Sequence, residues 1–141
     1  MKLNYIAALI ILLLATALTA NGDNFNDFSK DSQLQDVSAP VRCFFDAAAQ
    51  NDRKALKACF ADDVAVNIAG MRFNGPQEVA AFAARDIWGG KYKVEKVFKQ
   101  GITEIVHCRF RPKGWSSPEP PIEYQFQTKN GKIINWQGKY R

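Results

Sequence analysis

The sequence predicts an α+β fold in which three N-terminal helices pack on a cone-shaped, curved antiparallel sheet. Three observations carry this expectation. Apolar residues recur at helical spacing in three segments between Ser38 and Gly90, and they alternate with polar residues in four segments from Tyr92 to Tyr140. Clusters of Gly, Pro, Asn and Asp punctuate the boundaries between them. Helices cover the concave face of such a cone only partly, so a pocket can form between sheet and helices.

In APVRCFFDAAAQND, Val41, Phe44, Phe45 and Ala48 form one helical stripe, with Pro40 suited to a first turn and Ser38 placed to cap it. Asp52 is placed to cap a second helix, DRKALKACFA, with the stripe Leu56, Cys59 and Phe60. Asp62 and Asp63 are read as the turn that closes this helix, capping backbone groups or facing water rather than forming a catalytic acid pair. Val64, Val66 and Ile68 then alternate as a strand ending at Gly70, and MRFNGP gives a second short strand and a turn. PQEVAAFAARDIWGG reads as a third helix with Pro76 at its start, Val79, Phe82 and Ala83 inward, and Gly89-Gly90 at its end. YKVEKVFKQ, TEIVHCRFRP, PIEYQFQT and KIINWQGKY alternate as long strands; KGWSSPEPP forms an irregular loop and KNGK a tight turn.

The chain before these elements has a different character. MKLNYIAALIILLLATALTA has a basic start, an apolar run and small residues at Ala15, Ala17 and Ala20, the pattern of a signal peptide over residues 1–20. Its apolar run is shorter than the roughly 20 residues of a spanning helix, so cleavage and export to the periplasm or outside are expected, with no stable membrane insertion afterwards. Residues 21–38 are polar and acidic and read as a flexible arm, leaving residues 39–141 as one domain. Up to Ala84 the chain beyond the signal segment has 6 Lys or Arg against 9 Asp or Glu; from Arg85 on it has 12 against 5. The cationic half reads first as a solvated strand face, and alternatively as a surface for an anionic envelope component; export argues against nucleic acid. Cys43 and Cys59, on neighbouring predicted helices, can bridge in an oxidising compartment, but the preferred expectation is that they and Cys108 are three buried thiols acting as small apolar side chains. One histidine and no close cysteine pair give no metal site, and no cofactor is expected.

VRCFFDAAAQNDRKALKACFADDVAVNIAG, FNGPQEVAAF and the closing QFQTKNGKIINWQGKY together resemble the nuclear transport factor 2-like superfamily, in particular its SnoaL-like group. The resemblance covers residues 39–141 and implies the cystatin-like α+β barrel architecture and a homodimer formed through the open sheet face. The superfamily hosts isomerases, cyclases, dehydratases, epoxide hydrolases and binding modules, so function must be argued from the site. The ketosteroid isomerase branch has an oxyanion-hole tyrosine on the first helix, where this chain has Phe44 or Phe45, which have no hydroxyl to donate. That branch also has a carboxylate base near the positions of Asn67 and Ile68, neither of which can act as a base. The Asp-Arg-Asp set of an epoxide hydrolase is not supplied around His107, Arg109, Gln137 and Gly138.

The expected pocket residues are therefore Phe44, Asn67, Trp88, Tyr124 and Trp136, which would hold a small, largely apolar ligand. Asn67 is expected to orient the ligand by hydrogen bonds, and Arg72 and Trp115 to stand near the mouth. An isomerase or cyclase acting on a carbonyl compound would need His107 or Glu123. Alternation turns His107 away from Val106, Cys108 and Phe110, and Glu123 away from Ile122, Tyr124 and Phe126, which demotes both.

Overall fold

Local rules set most element boundaries in the computed structural model, which describes residues 32–116 and 120–141. The expected signal segment, residues 1–20, and residues 21–31 of the arm lie outside the described residues. Ser32–Asp36, within the expected arm, is a 3-10 turn whose Leu34 is wholly buried, so the core draws on residues before Ala39.

Helix α1, Ala39–Gln50, starts at a proline and stops where Asn51 takes the left-handed conformation (φ 53°). Ser38 does not cap it with its side chain. Its Oγ and N–H instead donate to Glu104, at 2.5 and 2.6 Å. A buried carboxylate is a stronger acceptor than a neutral hydroxyl, and its charge suits a helix N-terminus. Helix α2, Arg53–Cys59, is capped as expected, with Asp52 accepting from the Ala55 N–H at 2.9 Å. Helix α3, Gly75–Asp86, opens with Pro76, and its Glu78 accepts from the Asn74 N–H at 2.6 Å.

The strands are β1 Phe60–Ile68, β2 Met71–Asn74, β3 Lys91–Gln100, β4 Thr103–Arg111, β5 Pro121–Lys129 and β6 Lys132–Tyr140. They form one curved, unclosed sheet of order β2-β1-β6-β5-β4-β3, on which the three helices pack. The sheet is mixed rather than wholly antiparallel, because β6 inserts between β5 and β1 and runs parallel to β1. Asp62 and Asp63 are exposed residues of β1 and not a turn after α2. Helix α2 is only two turns long and passes straight into the strand, whose pairing with β6 slips between Phe60 and Ala65 and leaves both carboxylates in water.

The core is aromatic. Phe44 of α1 meets Phe45, Phe60, Tyr92, Tyr124, Phe126 and Trp136 at centroid separations from 4.7 Å for Trp136 to 6.2 Å. Phe126 and Trp136 stack nearly parallel beneath it. The expectation of three thiols is corrected: Cys43 and Cys59 are bridged, and only Cys108 is free and buried. The pairing of α1 with α2 brings the two Cα atoms to 5.7 Å, within disulfide reach. The bridge closes a loop of sequence separation 16, which restricts the unfolded chain by about 3 kcal/mol. Replacing both cysteines by alanine is expected to lower unfolding free energy by about 3 kcal/mol in urea titration. A loss below about 0.5 kcal/mol would show that the helix pair is held by packing alone.

Candidate functional site

The pleat separates two chemistries. Tyr92 and Val94 of β3, Val106, Cys108 and Phe110 of β4, and Tyr124 and Phe126 of β5 are all buried toward the helices. A cavity of about 600 Å³ lies at one end of this inner face. Phe82, Ile87 and Trp88 from α3 and its exit, Ile68 from β1, and Tyr92, Phe110, Ile122 and Tyr124 from the long strands wall it. Met71, Arg85, Asp86, Lys113, Trp115 and Tyr140 are exposed and form its mouth. Asp86 is engaged there by its neighbour, since its Oδ2 accepts from Arg85 Nε at 2.9 Å and Nη2 at 2.6 Å.

The wall carries one buried polar pair. Tyr92 Oη and Tyr124 Oη lie 2.8 Å apart, in side chains 2% and 4% exposed. Burial, then for each ring the neighbouring titratable groups, pushes both phenols well above their ordinary value of 10, so the pair stays protonated at physiological pH. Gly138 makes room for Tyr124: a Cβ there would come within 2.8 Å of its ring. Behind the wall, burial pushes the Cys108 thiol well up, which keeps it an inert packing group.

Of the expected pocket residues, Trp88 and Tyr124 line the cavity. Phe44 and Trp136 do not; both are fully buried and form the core beneath it. Asn67 is on the opposite face of the sheet, where its Oδ1 accepts from the Gly70 N–H at 3.1 Å and it borders a shallow polar hollow with Gln125 and Gln137. The register explains this: in β1 it is Val66 that turns to the core, so Asn67 turns out, beside Arg72. Arg72 accordingly borders a hollow on the outer face and not the mouth, whereas Trp115 stands at the mouth as expected. Tyr92 was missed, although the alternation Tyr92, Val94 marks it as inward. Phe82 is expected only on the helix stripe, and Ile68 only as a strand residue that cannot act as a base, yet both wall the cavity.

His107 and Glu123 are brought together, but on the outer face. His107 Nε2 and Glu123 Oε2 are 3.0 Å apart, and Arg141 Nη1 is 3.2 Å from His107 Nδ1. Arginine can only donate, so Nδ1 accepts and Nε2–H donates to Glu123; both ring nitrogens are occupied. A bulge in β3 after Val94 turns Glu95 toward the same group, where it accepts from Arg109 Nε and, at 2.7 Å, from Arg141 Nη2. Gln125 Nε2 donates to Glu123 at 2.7 Å, and Lys139 Nζ lies 3.3 Å away. The amide hydrogen bond from Gln125, with those of His107 and Lys139, outweighs burial and holds the Glu123 carboxyl below its ordinary 4.5. Burial would raise Glu95, but the bonds and charges of Arg109 and Arg141 outweigh it and hold that carboxyl below 4.5 too. Among the described residues, no group of three or more His, Cys, Asp or Glu could hold a metal ion.

Both carboxyls bind protons less readily folded than unfolded, so they stabilise the chain above about pH 4.5, and that stability is lost as pH falls through their lowered folded values. The urea midpoint is expected to fall as pH is lowered from about 6 to about 3. The double variant Glu95→Gln, Glu123→Gln should show a shallower acid decline; an unchanged slope would remove these two groups from the acid response.

No family model and no curated protein matches the chain. Solved structures do. One is a Sinorhizobium meliloti protein assigned as a polyketide cyclase, 22% identical, with a TM-score of 0.66 over 76% of this chain and 99% of that one. A second is an LEH-like epoxide hydrolase of Mycobacterium tuberculosis, 18% identical, with a TM-score of 0.62 over 72% and 80% of the two chains. A third is a Catenulispora acidiphila protein of ketosteroid isomerase-like fold, in complex with trimethylamine, 21% identical, with a TM-score of 0.63 over 72% and 84%. The helices on a curved, unclosed sheet, the inward cavity and these likenesses together give the chain the fold of the NTF2-like superfamily.

Proposed function

We propose that this chain is an exported binding protein that holds a small, largely apolar molecule in the cavity between α3 and the sheet. One observation carries the reading. A hollow of about 600 Å³, within the range of small-molecule sites, has apolar and aromatic walls, and the one carboxylate among the described residues that line it, Asp86, is tied to Arg85 at the exposed mouth. The bridge between Cys43 and Cys59 supports export, because such bonds persist in oxidising compartments. Assembly as a homodimer through the outer sheet face belongs to the same proposal. Asn67, Gln125 and Gln137 there are neighbours across three strands, and amide groups can both donate and accept across a two-fold axis.

An isomerase or cyclase working through His107 or Glu123 fits less well. Both residues face away from the cavity, and the imidazole has no nitrogen open to a substrate.

Native mass spectrometry of the protein purified after export, followed by denaturing mass analysis, tests the proposal. The expected result is a dimer carrying a discrete extra mass, lost in an Ile122→Trp variant that fills the cavity and kept in His107→Ala. An empty chain of either stoichiometry would favour an interaction module that uses the cationic strands. A proton-exchange or isomerase activity lost in His107→Ala or Glu123→Gln would overturn the non-catalytic reading.

A further inference from the structure

We propose that the mouth of the cavity docks on the surface of an anionic lipid bilayer, with Trp115, Met71 and Tyr140 entering the interface and Lys113 meeting the headgroups. The docking stands apart from the cavity reading above; only the route by which a ligand would reach the cavity, from among the acyl chains, rests on it.

The observation is where the exposed apolar side chains fall. Among the described residues four large ones are exposed: Met71, Ile102, Trp115 and Tyr140. Ile102 stands on the turn between β3 and β4, whereas the cavity lies by Tyr92 and Phe110 at the other end of those strands. The remaining three all rim the cavity, although they come from the start of β2, the loop between β4 and β5, and the end of β6. Scattered exposure is ordinary; convergence on one opening marks a contact surface. Trp115 is also held outward by its local structure. Its N–H donates to the Pro112 carbonyl at 3.1 Å, closing a turn in which Gly114 takes φ 83°, and the tryptophan is left 58% exposed.

Charge and shape decide the partner. Lys113 lies in that turn, and Lys91 and Arg111, paired in register, stand at the same end of the sheet. Asp86, the one carboxylate among the described residues that line the cavity, is matched by Arg85. The rim therefore carries an excess of cations, which an anionic surface complements. Tryptophan and tyrosine, apolar bodies with a polar tip, favour the headgroup level of a bilayer. A folded protein partner presents a fixed surface, which would seal the mouth over a hollow of about 600 Å³ and leave its walls without contacts. Acyl chains are fluid and fill an opening of any outline. The contact is a peripheral one, made by a few side chains and by charge, and is reversible.

The test is co-sedimentation of the full chain, purified after export, with vesicles of phosphatidylcholine alone and of phosphatidylcholine with an equal part of phosphatidylglycerol. Binding to the anionic vesicles is expected to be at least about tenfold stronger, and to weaken as salt is raised. Trp115→Ala should lower it about tenfold and Lys113→Gln about fivefold. Ile102→Ala, which removes a still more exposed side chain at the other end of the strands, should leave it unchanged. All three positions are exposed, and equal urea midpoints are expected to show that the variants fold. Vesicles with brominated acyl chains should quench tryptophan emission in the original chain and much less in Trp115→Ala, a difference that adhesion by charge alone would not produce. Equal binding to both kinds of vesicle, or binding that Trp115→Ala leaves intact, overturns the inference. No binding to the anionic vesicles overturns it too and leaves the rim to a protein partner. A discrete extra mass retained by the chain keeps the cavity reading standing in each of these cases, whereas vesicle binding by a chain that carries none upholds the docking without it.

Discussion

The described fold is arranged around the burial of Phe44. Its ring touches six other rings drawn from α1, β1, β3, β5 and β6, so one helix residue sets the distance between the helical layer and the sheet. Aromatic rings bury large areas and prefer edge or offset contacts, which fixes orientation as well as separation. The packing has a cost: among the described residues the buried Trp136 indole N–H meets no acceptor, worth about 1–3 kcal/mol of desolvation. The cavity exists because this cluster ends before the sheet does; beyond Tyr124 the wall is completed by α3 and its exit instead of α1.

A second constraint locks the helical layer in place. The Glu104 carboxylate, 5% exposed on β4, receives both the N–H and the hydroxyl of Ser38 at the start of α1. The bridge between Cys43 and Cys59 fixes α1 to the end of α2. One bond system is polar and the other covalent, yet both act on the same helix that carries Phe44. Both restraints act on the first half of α1, next to Phe44.

The sheet then divides the chemistry by side. Strand alternation puts the tyrosine pair and the aromatic walls inward, and puts His107, Glu123, Glu95, Arg109 and Arg141 outward in a connected charge network. The group that looks most catalytic in a residue list is thus separated by the sheet from the hollow that looks most like a binding site. Structures of the same fold include a cyclase assignment and an epoxide hydrolase, which shows how little the architecture alone says about the occupant.

The sequence by itself determined what depends on near neighbours in the chain. Helical spacing, prolines at the first turns, the Asp52 cap and the period of two marked most of the elements, and alternation correctly sent Tyr124 inward and His107 and Glu123 outward. What it left undecided depends on which distant strands become neighbours. Asn67 was expected in the pocket and lies outside, because Val66 takes the inner side of β1. Phe44 and Trp136 were expected to line the pocket and fill the core, because α1 lies over β5 and β6 and the cavity is under α3. The disulfide and the Tyr92–Tyr124 contact join residues whose separation is short in space only after folding. Side-chain periodicity tells which face a residue takes along its own element, whereas register and layer packing decide what stands opposite it, and a binding site is made of what stands opposite.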